Sequence, residues 1–157
     1  MIDPDSGVTP MAKIPRPEGH HTITPAFSVS HAADVIDFMA GAFGGKVVDR
    51  YDGPEGSVAH AEVRIGDSVV MLGEPMGDMH AMPAMLSYYV EDGPAVDAAY
   101  KRALEFGAIS VTEPKDQFYG YRSATVADKG GNRWTICAVI EQLSKDEIER
   151  RMAEMQE

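Results

Sequence analysis

The chain has 157 residues, one ordinary domain's length, and a single cysteine, so its core forms without an intramolecular disulfide, as suits a reducing compartment. Aspartate and glutamate number 25 against 14 lysines and arginines, a formal charge of −11 at pH 7. Such a surface repels nucleic-acid phosphates and anionic membranes, no apolar run nears the ~20 residues of a membrane span, and no charged-then-apolar signal segment opens the chain. A cytoplasmic protein without nucleic-acid or membrane partners is expected.

Residues 1–21 hold four prolines and no period, and read as a flexible N-terminal arm. Thr22–Val29 alternates and is rich in β-branched residues, predicting a strand. Ser30 is placed to cap a helix whose apolar face is Ile36, Met39, Ala40 and Phe43, stopped by Gly44-Gly45. Three short strands follow, at Lys46–Tyr51, Ser57–Ile65 and Ser68–Gly73, the last two joined by a Gly66-Asp67 turn. A loop with four methionines, Pro75–Met85, leads into a second series. It comprises a strand at Leu86–Val90, a helix capped by Asp92 with Val96, Ala99, Tyr100 and Ala103 inward, and strands near Ser110–Glu113, Tyr121–Ala127 and Arg133–Val139. Ser144-x-x-Glu147 is a capping box that opens a terminal helix over residues 141–157 with an Ile148, Met152, Met155 stripe.

The second series repeats the first. Val29 and Val90 are 61 residues apart, and Phe43-Gly44 and Phe106-Gly107 are 63 apart. The pattern predicts an α+β domain over residues 22–140, built of two βαβββ modules at about 22–75 and 86–139. Each helix covers one sheet face, and the other faces either meet or curl around a cavity.

The runs VSHAADVIDFMAGAFGGKVV and HAEVRIGDSVVML, the DQFYG loop at Asp116–Gly120 and the DKGGNRW turn resemble the vicinal oxygen chelate superfamily. That superfamily holds glyoxalases, bleomycin resistance proteins and extradiol dioxygenases; the resemblance is closest to its PhnB-like branch. It covers about residues 20–140 and implies paired βαβββ modules with curved mixed sheets around a cavity, in a homodimer. It also implies metal ligands at four positions. Carried over singly, these fall on Thr24, Met71, Met85 and Thr135, which offer neither imidazole nor carboxylate, so no metal or other cofactor is expected.

Other residues carry the remaining chemistry. In Val58–Val63, alternation places Ala59, Ala61 and Val63 toward the helix, with His60 and Glu62 together on the opposite face, about 7 Å apart along the strand. On the cavity face, Glu62 would orient His60 as an acid/base pair; otherwise the two form a structural pair on a half-exposed strand. The same parity assigns Thr22, Thr24, Ala26, Ser28, Met85, Ser87, Tyr89, Arg133, Thr135 and Cys137 to the cavity face, with Tyr119 and Arg122 at its mouth or on a solvated rim. Trp134 falls on the core side. His20, His21, His31 and His80 read as incidental, and the methionine-rich loop as either an adaptable binding wall or a linker packed on a dimer mate.

Three function classes follow. A metal-free protein sequestering a small organic ligand comes first, and a metal-free lyase, isomerase or epimerase using His60 and Glu62 is the alternative. A metal-dependent glyoxalase or dioxygenase ranks last, for want of ligands.

Overall fold

The computed structural model describes residues 16–156. Its elements run β1 (Ala26–Ser28), α1 (Ala32–Phe43), β2 (Lys46–Asp52), a 3-10 turn (Pro54–Gly56), β3 (Val58–Ile65) and β4 (Ser68–Gly73). Then come β5 (Met85–Tyr89), α2 (Gly93–Glu105), β6 (Ile109–Asp116), β7 (Tyr121–Ala127), β8 (Arg133–Val139) and α3 (Lys145–Glu154). The strands form two separate four-stranded sheets of identical order, β1-β4-β3-β2 and β5-β8-β7-β6. In each, the first strand pairs parallel to the last and the other neighbours are antiparallel, as expected of a repeated βαβββ unit.

One core serves both modules. Phe43 of α1 stacks within 4.5 Å of Tyr88 and 5.1 Å of Trp134, ring centre to ring centre, so the first helix also covers the second sheet. Val35, Met39, Val63, Val96, Val126 and Ile136 are fully enclosed there, each contributing roughly 1.5–3 kcal/mol of apolar burial. Arg102 of α2 donates to the carbonyl of Ala42 in α1 at 3.2 Å, tying the helices together. The two expected helix stops are present, with Gly44 and Gly107 at φ +67° and +92°, a conformation that glycine adopts without a Cβ clash. Asp92 and Ser144 cap α2 and α3 through their side chains.

Several local expectations are corrected. β1 is only three residues long, because Pro25 precedes it and offers no backbone donor to a ladder. Ser30 does not cap α1; the chain enters through His31 at φ +60°, without a side-chain cap. Ala40 is exposed, because α1 buries Phe38, Met39, Ala42 and Phe43 and turns position 40 outward. The α3 stripe packs loosely, with Met152 and Met155 largely exposed.

Candidate ligand-binding groove

In β3, Ala61, Val63 and Ile65 point into the core, which sends His60, Glu62 and Arg64 to the face away from the helices. The β2–β3 register slips between Tyr51↔His60 and Asp52↔Val58, leaving Ala59 as the extra residue of a bulge. Val58 is therefore buried, and Ala59 joins His60 on the outer face rather than Ala61 on the helix face. Gly73 in β4 permits this bend; a Cβ there would lie 2.5 Å from the Ala59 carbonyl oxygen.

The methionine-rich loop folds back along β1. Ser28 and Met82 exchange backbone hydrogen bonds, Met82 N donating to Ser28 O at 2.7 Å and Ser28 N to Met82 O at 3.3 Å. This return encloses a groove of about 410 Å³, with Met71 and Gly73 on its floor, His60 and Ser28 as polar groups, and Met76, Met79 and Met82 as its wall. Its volume lies within the range of small-molecule sites, ~300–1,000 Å³. The Ser28 hydroxyl is buried without a hydrogen-bond partner, a donor and acceptor left for an occupant. A second hollow of about 110 Å³ beside Phe38 and Phe106 has room for only a few waters.

His60 Nε2 lies 3.3 Å from Glu62 Oε1, so the pair expected on parity is in contact. Glu62 is 17% exposed and His60 43%, placing the carboxylate underneath and the imidazole at the groove. The other carboxylate oxygen faces His20 Nε2 at 3.4 Å. That second imidazole, read from sequence as incidental, comes from the segment just before β1. No local motif marks it, because the contact joins residues 42 positions apart. His80 also lines the groove. Tyr51, beside His60 on β2, has its hydroxyl pushed above the usual range by a hydrogen bond to Asp49.

The other proposed site residues lie elsewhere. Met85, Ser87 and Tyr89 of β5 share the outer face of the second sheet with Thr135 of β8, which faces Thr125 across a 3.2 Å hydroxyl contact. Tyr119 and Tyr121 stack beside Tyr89, whose hydroxyl is pushed up by neighbouring Cys137 and Tyr121. Cys137 is buried, and burial raises its thiol. Arg122 is held between two acids, Asp97 of α2 at 2.9 Å and Asp116 of β6 at 2.7 Å, and does not line the groove of the first sheet. Thr24 stands outside β1, its hydroxyl donating to the carbonyl of His21. Within one chain, Ser28 and His60 line the same groove, with Glu62 in contact with His60 beneath it, and the β5 and β8 residues lie on a separate sheet.

The donor set does not fit a metal at the inherited positions. Thr24 and Met71 belong to the first module, Met85 and Thr135 to the second, and all four offer only hydroxyl or thioether. Among the described residues, no three histidine, cysteine or acidic side chains are grouped to hold a metal ion; His20 and His60 flank opposite oxygens of Glu62 instead of converging.

Known proteins supply the context. The uncharacterized protein Rv0887c of Mycobacterium tuberculosis is 33% identical over 139 residues, 83% of this chain and 82% of that protein. Among solved structures, TioX from Micromonospora sp. ML1 superposes with a TM-score of 0.59 at 20% identity, over 79% of this chain and all of that one. The PhnB protein from Bacillus cereus gives 0.62 at 16%, over 75% and 99%, and lactoylglutathione lyase from Agrobacterium tumefaciens 0.59 at 15%, over 75% and 92%. At those identities the likeness is one of fold. The family model described as the glyoxalase/bleomycin resistance protein/dioxygenase superfamily matches residues 13–136, and the chain belongs to that superfamily, whose paired βαβββ modules it repeats.

Proposed function

We propose that the protein binds a small, largely apolar organic molecule in the groove between the outer face of the first sheet and the methionine-rich loop, and sequesters it without a metal. The observation that carries this reading is the groove itself: about 410 Å³, walled by flexible thioethers, with an unpartnered serine hydroxyl and the imidazoles of His60 and His80 to orient a guest. A large apolar area with few polar groups fits an uncharged or weakly polar organic ligand. No glycine-rich phosphate loop is present among the described residues, and the net charge of −11 disfavours polyanions.

A second reading, acid/base catalysis of a lyase or isomerase type, is favoured by the His60–Glu62 contact at 3.3 Å. We also propose a homodimer, on the exposed apolar faces at Met85, Tyr89, Ile109 and Val139 and the loose stripe of α3. Ser87, Tyr89 and Thr135 would then be ligand contacts supplied by the second sheet.

The test is a thermal-shift screen of small organic metabolites and antibiotics against wild type and Ala26→Trp, a substitution that fills the groove from an exposed position of β1. Compounds that stabilise wild type by several degrees and leave the variant unmoved are expected. Compounds that stabilise both equally, or none that stabilise wild type, would overturn the reading.

A further inference from the structure

The segment between β4 and β5 carries its apolar character on sulfur. From Glu74 to Ala84 the large apolar side chains are Met76, Met79 and Met82, with no leucine, isoleucine, valine or aromatic residue among them. Methionine is ordinarily one of the most buried residue types, yet these three are 61, 61 and 72% exposed. Leucine or isoleucine would supply the apolar area equally; what methionine adds is a flexible, polarizable thioether.

The fold gathers the three. Met79 N donates to Met76 O at 3.2 Å across a turn in which Gly77 takes φ +61°, and such a turn holds its end Cα atoms within about 7 Å. Met82, three residues on, is fixed by its backbone exchange with Ser28, and all three methionines line the same groove. Side chains with three rotatable bonds adapt to a shared centre from such positions. His80, between Met79 and Met82 in sequence, lines the groove as well.

Donor chemistry selects the occupant. Thioethers are soft donors that favour Cu(I) and ions like it, and imidazole also suits copper. Zinc, magnesium and calcium take thiolate, imidazole or oxygen donors instead, and among the described residues no three histidine, cysteine or acidic side chains are grouped to hold such an ion. Neutral ligands leave a bound cation its charge. That charge is met by Glu74, which lines the groove, by Asp78 in the turn, and by the chain's net −11.

We propose that Met76, Met79 and Met82, with His80, form a site for one soft monovalent cation of the Cu(I) or Ag(I) class. The site goes beyond the sequestration of an organic guest and does not depend on it. It fills where the ion is supplied, and protein purified without that ion carries little of it.

The experiment titrates silver(I) nitrate, a redox-stable probe of this class, into the full chain carrying 13C-labelled methionine methyl groups. The buffer is free of chloride, and folding is followed by circular dichroism. Cys137→Ala removes the single thiol, a competing soft donor, and wild type is run beside it. The methyl signals of Met76, Met79 and Met82 are expected to shift together and to saturate at one ion per chain. Met152 and Met155 on α3, also exposed but offering two thioethers, are expected to move only after that equivalent is bound. Met79→Leu keeps the apolar volume and removes one donor. It is expected to weaken binding ~10-fold or more, at least the loss that follows removal of a residue supporting a metal ligand. Cu(I) under anaerobic ascorbate should move the same signals, and Zn(II) should leave them in place. Loop and α3 signals moving in step, unchanged affinity in Met79→Leu, an equal response to Zn(II), or no shift at all overturns the proposal. Any of these leaves the thermal-shift screen of organic compounds unaffected, and a blank screen leaves the methyl signals readable.

Discussion

The indole Nε1 of Trp134 donates to Asp128 Oδ2 at 2.8 Å, inside the turn between β7 and β8. The same carboxylate accepts from Gly130 N, Asn132 N and Asn132 Nδ2, and Asn132 Oδ1 in turn accepts from Ala84 N at 2.9 Å. One buried acid therefore joins the turn, the core tryptophan and the entry to β5. Its charge is compensated by four aligned donors, which is the condition for burying it at all.

Removing that acid leaves those donors unpaired. Asp128→Ala is expected to lower unfolding free energy by about 2–4 kcal/mol with an unchanged denaturant slope. Urea titration followed by Trp134 fluorescence reads it directly, and a loss within error of zero would show that water replaces the carboxylate.

Cys137 is 4% exposed, and burial pushes its thiol up. Both effects reduce thiolate available to reagent. Native protein should react with an aromatic disulfide reagent roughly 100-fold or more slowly than unfolded protein, because labelling waits on opening. A fast native reaction would place this cysteine on an accessible face.

Glu147 is held down to about 2 from an ordinary 4.5 by hydrogen bonds from Arg150 and Arg151. A depressed carboxylate stabilises the fold above its unfolded value and loses that contribution as pH falls through the folded one. Arg151 also donates to the Phe118 carbonyl, so this ion pair helps to seat α3 on the loop before β7. The α3 amides should stay protected in mild acid and fray between about pH 4.5 and 2. In Glu147→Gln that fraying should already be present at neutral pH, as hydrogen exchange would record; equal protection in both proteins would remove the pair from the account.

Protein produced without an affinity tag is expected to contain far less than one transition-metal ion per chain and to keep ligand binding in chelator. The reason is the donor chemistry at Thr24, Met71, Met85 and Thr135. Elemental analysis giving about one metal per chain, lost in His60→Ala, would reverse this expectation.

Much of the architecture was legible because it is local. Period-2 and period-3.6 patterns placed the strands and helices, Gly44 and Gly107 marked matching helix ends, and the 63-residue spacing of the Phe-Gly pairs revealed the repeat. Parity alone put His60 and Glu62 on one face and Trp134 in the core. What periodicity lacks is any record of contacts between distant segments.

Those contacts decided the site. The return of the loop along β1 depends on Ser28 meeting Met82, and the bulge that brings Ala59 to the groove depends on how β2 registers against β3. Arg122 was drawn from the cavity by Asp97, a residue of α2 whose proximity no strand pattern encodes. His20 belonged to a segment without period, and the packing of Gly19 on Arg64 and the contact of His21 with the Asp67 carbonyl bring it to Glu62. The sequence by itself determined which face a regular strand presents, as from His60 to Ile65, since side-chain alternation follows from backbone geometry, whereas the bulge at Ala59 escaped it. Which partners meet on that face was decided by tertiary structure, because pairing is set by the closure of chain segments far apart in sequence.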